Sequence, residues 1–415
     1  MSASATSGPD STAARPRITD RQRRARLLRR HRLTADVPSG TGTGTVEDVV
    51  RSMVALHATT PSTIYLSAWA RLPGFAIDDL DRALYTDRSL VKHLAMRRTL
   101  FVMERDVLAD AVGALGPRVA ASERTNMLRD LRRSDDFADP EGWIDTARNA
   151  VRAELAAGEP LTSTQLRQRL PELSAQVIVA AHKSWGGKVS MGPRVLSMMS
   201  AAGEIVRGPN RAGWQQSRPV WTLMPSWLGE ELPGVAPPVG YRALVRRWLR
   251  TFGPGTETDI VWWLGSTKTA VRAALAELAA VAVDLDDGQV GYVLPDDLDE
   301  LADADLPEPA AALLPELDPT TMGHKVRDFY LGPHAARLFD SAGNGGQTAW
   351  WDGRIVGGWY VRDDGSVAIY PMERLDRTAR RALDDRAAEL TAWLAGARPT
   401  IGYAAPFMRE IAPAG

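Results

Sequence analysis

Two polar side chains two residues apart, His57 and Thr59, have types that suit the activation of a water molecule. They belong to the stretch "VALHATTPSTIYL", where an apolar run ends just before a proline. A neutral imidazole, whose unperturbed pKa is about 6.5, can accept a proton from water, and a threonine hydroxyl can orient that water. His57 and Thr59 are therefore candidate catalytic residues.

A second interpretation gives His57 a packing role. The apolar residues before it have helical spacing and follow a capping box; they are Val46, Val49, Val50, Met53 and Val54, after Thr45 and Asp48. This pattern predicts a helix whose buried face ends at His57, with Thr59 or Thr60 capping the next turn. The residues themselves leave both interpretations open.

The elements around this pair predict a helical unit with a small β-element. Further helices are expected in "STIYLSAW" and "DLDRALY", and "TLFVMERD" has the composition of a strand. Arg97 and Arg98 precede that strand, and one of them, for which we choose Arg98, can reach a phosphate; exposure to solvent is the alternative. We expect residues 17–116 to form a winged-helix-like domain that ends at a Gly-Pro pair, after a disordered tail at residues 1–16.

A second unit, at residues 117–232, has the clearest fold pattern. Two capped helices, "LTSTQLRQRL" and "MGPRVLSMMSAAG", precede two strands joined by the basic loop "PNRAGWQQSR". This order is that of a winged helix, whose second helix can enter a major groove while its hairpin contacts the DNA backbone. The candidate DNA ligands are Arg194, Arg207, Arg211 and Arg218. Winged helices also serve as protein-contact modules, and that alternative stays open.

The same order of elements recurs at residues 233–310, with a hairpin that turns at Asp287-Gly288. This hairpin is acidic, so we expect the third winged helix to pack against its neighbours rather than to follow phosphates. Residues 311–415 alternate short strands with Asp-Gly turns and then form an amphipathic helix. The predicted fold class is α+β, mainly helical: tandem winged-helix domains followed by a small antiparallel β-rich C-terminal part.

Composition narrows the function classes. The chain of 415 residues has no cysteine, which excludes disulfides and cysteine nucleophiles, and its six histidines show no metal-ligand spacing. No apolar run approaches the roughly 20 residues needed to span a bilayer, and the polar N-terminus lacks the apolar core of a signal peptide. We expect a cytoplasmic monomer with no metal, no cofactor and no membrane contact.

Arginine dominates the basic residues, because only five of the 50 Lys and Arg residues are lysine. A guanidinium group binds phosphate through two parallel hydrogen bonds, so the bias is compatible with nucleic-acid binding. A GC-rich genome produces the same bias, and composition alone does not separate the two explanations.

Four segments, "ITDRQRRARLLRRHRL", "VVRSMVALHATTPSTIYLSAWARL", "LRTFGPGTETDIVWWLG" and "LLPELDPTTMGHKVRD", occur in an order that resembles the winged-helix DNA glycosylases of the YcaQ/AlkZ type. The resemblance implies tandem winged helices and the removal of alkylated purines from double-stranded DNA. The catalytic motif of that family is Gln-x-Gln or Gln-x-Asp, and His57 and Thr59 occupy its two polar positions, so this sequence departs from the motif at both.

The last of these segments resembles a family segment that faces the DNA cleft. The resemblance makes Asp318, Lys325 and Arg327 candidates for lining a pocket or holding a phosphate. A local salt bridge within the loop is the alternative.

The resemblance implies a nucleoid-associated DNA glycosylase that hydrolyses the N-glycosidic bond of alkylated purines. N7-alkylguanine already carries a positive charge, so the leaving base needs little protonation and the protein mainly holds a water near the sugar. One alternative is a non-catalytic winged-helix DNA-binding protein, such as a regulator or damage sensor. A protein-interaction scaffold that does not contact DNA is another.

Overall fold

The computed structural model describes residues 14–34, 44–179, 187–298 and 307–411. Helices dominate these ranges, and the strands form small sheets in which antiparallel pairing prevails. The predicted class, α+β with mainly helical content, is confirmed.

The described chain begins with a short strand and a helix, β1 (Arg17–Ile18) and α1 (Asp20–Arg30). Thr19 caps α1 reciprocally with Gln22, because the Thr19 hydroxyl accepts from the Gln22 backbone N–H and the Gln22 side chain accepts from the Thr19 backbone N–H. Two such bonds satisfy N–H groups that would otherwise lack a partner at the start of a helix.

The first unit has the order helix, strand, two helices and two strands. Its elements are α2 (Val46–Ser52), β2 (Leu56–His57), α3 (Thr63–Trp69), α4 (Ile77–Asp81), a π-helical turn (Arg82–Thr86), β3 (Leu90–Leu94), a 3-10 turn (Met96–Arg98) and β4 (Leu100–Glu104). The short β2 pairs antiparallel with β4, which also pairs with β3. The sheet order is therefore first strand, third strand, second strand.

A long helix, α5 (Arg105–Leu131), follows the first unit and continues into the second. It runs through Pro117, so the domain boundary that we predicted at residue 116 lies inside a helix. Pro117 removes one backbone hydrogen bond from α5. The helix packs closely against a later segment of the chain at this point, and this packing offsets the lost hydrogen bond. A Cβ atom added to Gly116 would lie only 2.6 Å from the carbonyl oxygen of Ala201.

The second unit repeats the order of the first and adds a two-stranded ribbon. Its elements are α6 (Pro140–Ala156), β5 (Leu161–Thr162), α7 (Ser163–Arg169), a 3-10 turn (Pro171–Ser174), β6 (Gln176–Val179), β7 (Gly187–Ser190), α8 (Gly192–Ala201), β8 (Ile205–Asn210) and β9 (Pro219–Leu223). The sheet order β5-β9-β8 is again first, third, second. The ribbon of β6 and β7 lies between the two helices in sequence and was not predicted.

The third unit follows a short helix, α9 (Met224–Leu228), and has the same order once more. Its elements are α10 (Pro237–Phe252), β10 (Gly255–Thr256), α11 (Glu257–Leu264), α12 (Lys268–Glu277), β11 (Val281–Leu285), β12 (Val290–Val293) and a 3-10 turn (Pro295–Asp297). Its sheet contains a fourth strand, because β1 pairs in parallel with β11.

This pairing assigns the N-terminal strand to the third unit and not, as predicted, to the unit that begins at residue 17. Arg17 forms an ion pair with Asp286 at 3.0 Å, and the Asp20 backbone N–H donates to the same carboxylate at 2.8 Å. The acidic hairpin therefore packs against a neighbouring basic segment, which confirms the expectation for this hairpin.

The C-terminal part contains a four-stranded antiparallel sheet covered by a helix. Its elements are β13 (Ala311–Leu314), α13 (Pro319–Met322), α14 (Asp328–Leu331), a 3-10 turn (Gly332–His334), α15 (Ala335–Leu338), β14 (Thr348–Trp351), β15 (Arg354–Val361), β16 (Val367–Pro371), α16 (Arg377–Leu394) and α17 (Met408–Ile411). Asp352 and Gly353 form the two-residue turn between β14 and β15 with φ angles of 50° and 73°. Both values are left-handed, as the Asp-Gly pair predicts.

The hydrophobic cores do not follow the predicted boundaries. One continuous core joins the first unit, the third unit and the C-terminal part, as shown by the buried side chains of Leu56, Trp248 and Trp350. The second unit has a core of its own, which includes Leu166 and Val195. Most buried apolar residues of the second unit thus belong to a core of their own, while Val206 of β8 belongs to the shared core.

Candidate active site

His57 lies in strand β2 and not on a helix, so the predicted helical face that ends at His57 is wrong. Helix α2 ends at Ser52, and Val54 then adopts a left-handed φ of 63°, which turns the chain into the strand. The apolar residues of this run are buried on either side of the turn. A short apolar run does not by itself distinguish a helix from a strand, which explains the error.

His57 occupies the place that a capping threonine occupies in the other two units. Thr162 and Thr256 are the last residues of the equivalent short strands, and each caps the helix that starts at the next residue. In the first unit, residues 58–62 separate β2 from α3. His57 and Thr59 are therefore free of the capping role, and Ser62, which precedes α3, makes no side-chain capping bond.

The imidazole of His57 is nearly buried, with 4% of the residue exposed, and its ring centroid lies 4.8 Å from that of Phe101. The Thr59 backbone N–H donates to its Nδ1 at 3.4 Å, which leaves the proton of the neutral ring on Nε2. Burial, with a contribution from the charge of Arg97, lowers the pKa of His57 to about 3. The ring is thus a neutral hydrogen-bonding group and a weak base, next to an exposed Thr59.

The turn between β3 and β4 directs two neighbouring arginines to different places. Arg97 and Arg98 both have left-handed backbone angles, with φ of 51° and 59°. The side chain of Arg98 forms an ion pair with the buried Glu123 of α5, with Nε 2.5 Å from Oε1. Arg98, which we predicted as a DNA ligand, thus anchors the turn while its side chain stays 59% exposed, whereas Arg97 faces α11.

Arg97 contacts the indole of Trp262, with its guanidinium carbon 4.2 Å from the ring centroid. Burial, and then the charge of Arg327, lowers the pKa of Arg97 to about 10. Gly265 follows α11 and permits this approach, because a Cβ atom there would lie 3.0 Å from the Cα and N atoms of Arg97. Gly265 also has a left-handed φ of 61°, which a glycine adopts without strain.

Arg327 reaches the same indole from the C-terminal part. Its guanidinium carbon lies 5.2 Å from the centroid of Trp262 and 4.5 Å from that of Phe339, and Nη1 donates to the carbonyl of Thr321 at 3.3 Å. Burial lowers the pKa of Arg327 as well. Of the three residues predicted from the segment "LDPTTMGHKVRD", Arg327 is thus the one brought near Arg97, whose charge in turn acts on His57.

A buried carboxylate positions the loop that carries Arg327. Asp259 accepts the backbone N–H groups of Lys325 and Val326 at 2.8 Å each with Oδ1, and its Oδ2 accepts from Thr256. The side chain of Lys325 is exposed. The cap of α11 therefore also fixes the loop from the C-terminal part.

Asp318 is fully buried, and this location excludes contact with a phosphate on the surface. Its carboxylate accepts two hydrogen bonds from Arg71, at 2.6 and 2.8 Å, one from Ser67 at 2.7 Å and one from the backbone of Thr320 at 2.9 Å. The salt bridge expected within the loop is instead a long-range pair between the first unit and the C-terminal part.

The four arginines predicted from the second unit differ in accessibility. Arg194 forms an ion pair with Asp130 at 2.8 Å, and Arg207 is half-buried, 5.1 Å from the ring of Trp221. Arg211 and Arg218 are exposed and flank the turn between β8 and β9, where the Asn210 side chain accepts the Arg218 backbone N–H at 2.6 Å. Two of the four thus remain available to a ligand at the hairpin turn.

Two features of the site were not predicted: Trp262 and the role of Asp259 in the loop of Arg327. Outside the site, the ribbon of β6 and β7 was not predicted either, and its Ile178 is 63% exposed. The Trp-Trp-Leu-Gly sequence at the end of a capped helix was a usable signal for the first. Within the described ranges, no three His, Asp or Glu side chains are grouped so as to hold a metal ion. No helix in these ranges is long and apolar enough to cross a membrane.

A repeated helix, helix and hairpin unit that presents arginines at a hairpin turn is typical of proteins that bind DNA. Residues 50–393 match the model of the family described as DNA glycosylase AlkZ-like, and the chain belongs to that family. The solved structure of Streptomyces sahachiroi DNA glycosylase AlkZ is similar to this chain, with a TM-score of 0.68 and 21% identity over 92% of this chain and 98% of that one. At this identity the likeness establishes the fold. No curated protein matches the chain.

Proposed function

We propose that this protein is a DNA glycosylase that hydrolyses the N-glycosidic bond of alkylated purines in double-stranded DNA. The observation that carries the proposal is the position of His57 and Thr59. In the other two units of this chain, the residue equivalent to His57 is a threonine that caps the next helix. In the first unit, residues 58–62 lie between His57 and the next helix, so the side chains of His57 and Thr59 do not cap it. A nucleoid location follows from such a substrate.

We also propose that the three repeated units are winged helices. All have one element order and the sheet order first, third, second. The hairpin of the second unit carries the exposed Arg211 and Arg218, which suit backbone phosphates. The hairpin of the third unit is neutralised by Arg15 and Arg17, so we assign it a structural role.

The proposed chemistry is attack of water on the sugar carbon while the bond to the base breaks. The bonding electrons leave with the base, which for N7-alkylguanine neutralises its positive charge, and the water proton passes to solvent. His57, with a pKa of about 3, holds the water or the sugar by a hydrogen bond and does not take the proton. Thr59, exposed beside it, supplies a second hydrogen bond.

The departure from the Gln-x-Gln or Gln-x-Asp motif favours a second candidate, a DNA-binding protein that does not cleave. A neutral imidazole that donates from Nε2 resembles a glutamine amide in this respect, which is why we prefer the enzyme. Incubation with duplex DNA containing 7-methylguanine separates the candidates. Release of free base and formation of alkali-labile sites support the glycosylase, whereas tight binding without release supports the second candidate.

Binding that does not weaken as salt rises would contradict both candidates, because contacts with phosphates release counterions. A DNA duplex of the same sequence without the lesion is the control in each measurement.

A further inference from the structure

We infer that Arg97 and Arg327 together bind one backbone phosphate beside the nucleotide that reaches His57. The inference rests on the proposed function, since it assigns a DNA contact to the same site.

The guanidinium groups of Arg97 and Arg327 share one aromatic neighbour and lie near enough for the charge of Arg327 to lower the pKa of Arg97. Both contact the indole of Trp262, at 4.2 and 5.2 Å from its centroid. Asp259 and Asp328 act on Arg327 through their charges, but in the described part of the chain neither arginine has a carboxylate at ion-pair distance. The Nε of Arg97 is buried without a hydrogen-bond partner. Like charges gathered in this way are expected where a ligand supplies the opposite charge.

The backbone near Arg97 is strained in a way that places this side chain. Two consecutive non-glycine residues, Arg97 and Arg98, have left-handed φ angles of 51° and 59°, a conformation that side chains other than glycine rarely adopt. The ion pair of Arg98 with Glu123 holds the turn from one side, and the close approach of Gly265 holds it from the other. Strain retained by two separate contacts indicates that the position of Arg97 is used.

The chemistry of the site favours a phosphate over the base or the sugar. N7-alkylguanine is cationic, and the transition state for its release has positive charge on the sugar, so two guanidinium groups would repel both. A phosphodiester offers anionic oxygens to the guanidinium fork and neutralises the repulsion between the two arginines. Bound there, it would also shield the developing sugar cation from Arg97.

The test uses the full chain and duplexes that contain a tetrahydrofuran abasic site, in which single phosphates near the lesion are replaced by uncharged methylphosphonates. Affinities are measured for the wild type, Arg97→Gln, Arg327→Gln and the control Arg381→Gln, whose side chain on α16 is 85% exposed. We expect one replacement to weaken wild-type binding about tenfold, the size of one charged hydrogen bond. The same replacement should have no further effect on Arg97→Gln or Arg327→Gln, and its full effect on Arg381→Gln.

Three outcomes would overturn the inference. In the first, each methylphosphonate weakens DNA binding by the wild type and by Arg97→Gln to the same extent. In the second, no single methylphosphonate weakens DNA binding by the wild type. In both cases, release of 7-methylguanine from a duplex with normal phosphates would show that the proposed function stands. The third is the absence of DNA binding by the wild type, which would end the proposed function as well. The wild-type measurement does not depend on the folding of any variant.

Discussion

The imidazole of His57 packs against Phe101 across the β2–β4 pair, with ring centroids 4.8 Å apart, while its Nδ1 accepts the Thr59 backbone N–H. A packing role and a hydrogen-bonding role of His57 are therefore compatible, because the ring is packed on one side and hydrogen-bonded toward an exposed residue on the other. Packing fixes the ring orientation, and that orientation determines which nitrogen can donate.

Replacement of His57 should separate packing from chemistry. His57→Ala should lower the free energy of unfolding by about 1 to 3 kcal/mol and reduce the single-turnover rate of base release about 10- to 100-fold, since the variant cannot make the hydrogen bond of the imidazole. His57→Gln should retain most of the rate, because its amide can also donate. Thermal melting measured beside base release checks both, and a destabilised His57→Ala that releases base at the wild-type rate would show that His57 only packs.

Titration of His57 should contribute no pH dependence to the rate of base release between about pH 6 and pH 8. Its pKa of about 3 keeps the ring neutral throughout this interval. Single-turnover rates of the wild type and His57→Gln should give parallel profiles. An inflection near pH 6.5 that is present in the wild type and absent from His57→Gln would contradict this expectation.

Acid should destabilise the fold through its buried histidines. Burial lowers the pKa of His57 to about 3 and that of His93 and His324 to about 4 each. In the unfolded chain these groups take up protons below about pH 6.5, so the unfolded state binds more protons and stability falls as pH drops from there toward 4. Each histidine contributes about 1.4 kcal/mol per pH unit at most. Urea unfolding at pH 7 and pH 5 measures the decrease, and equal stability at the two values would refute the assignment.

Asp318 should matter for stability and not for DNA affinity. Asp318→Asn leaves the fully buried Arg71 without its charged partner, and the free energy of unfolding should fall by about 3 to 5 kcal/mol. Asp385→Asn is the matched control, because its pair with Arg381 is exposed and contributes at most about 1 kcal/mol. Chemical unfolding gives both values. Unchanged stability of Asp318→Asn combined with weaker DNA binding would restore the pocket role that the sequence predicted.

The exposed arginines of the second unit should account for part of the salt dependence. The double variant Arg211→Gln with Arg218→Gln should bind DNA more weakly, and the slope of log affinity against log salt should decrease by about 0.9 for each phosphate that the variant no longer neutralises. Arg377→Gln with Arg381→Gln removes the same charge from α16 and should change the slope less. Equal slopes for the two double variants would place the interface elsewhere.

Local features of this fold could be predicted from neighbouring residues. The capping boxes at Thr162 and Thr256 and the turn at Asp352-Gly353 depend on hydrogen bonds or backbone angles within a few residues. For that reason the repeated order of helices and hairpins, and hence the fold class, followed from the sequence. The prediction for the His57 run was wrong, because its apolar spacing suits burial in either a helix or a strand.

The sequence by itself thus determined the repeated order of helices and hairpins in the second and third units. The tertiary structure alone decided that β1 joins the third unit, that Asp318 is buried against Arg71, and that Arg97 and Arg327 meet at Trp262. The physical reason is that caps and turns are governed by short-range bonds, whereas these contacts depend on how one shared core packs segments that are distant in the chain. Whether a charged side chain is exposed or buried beside a partner is a property of that packing, and residue type does not reveal it.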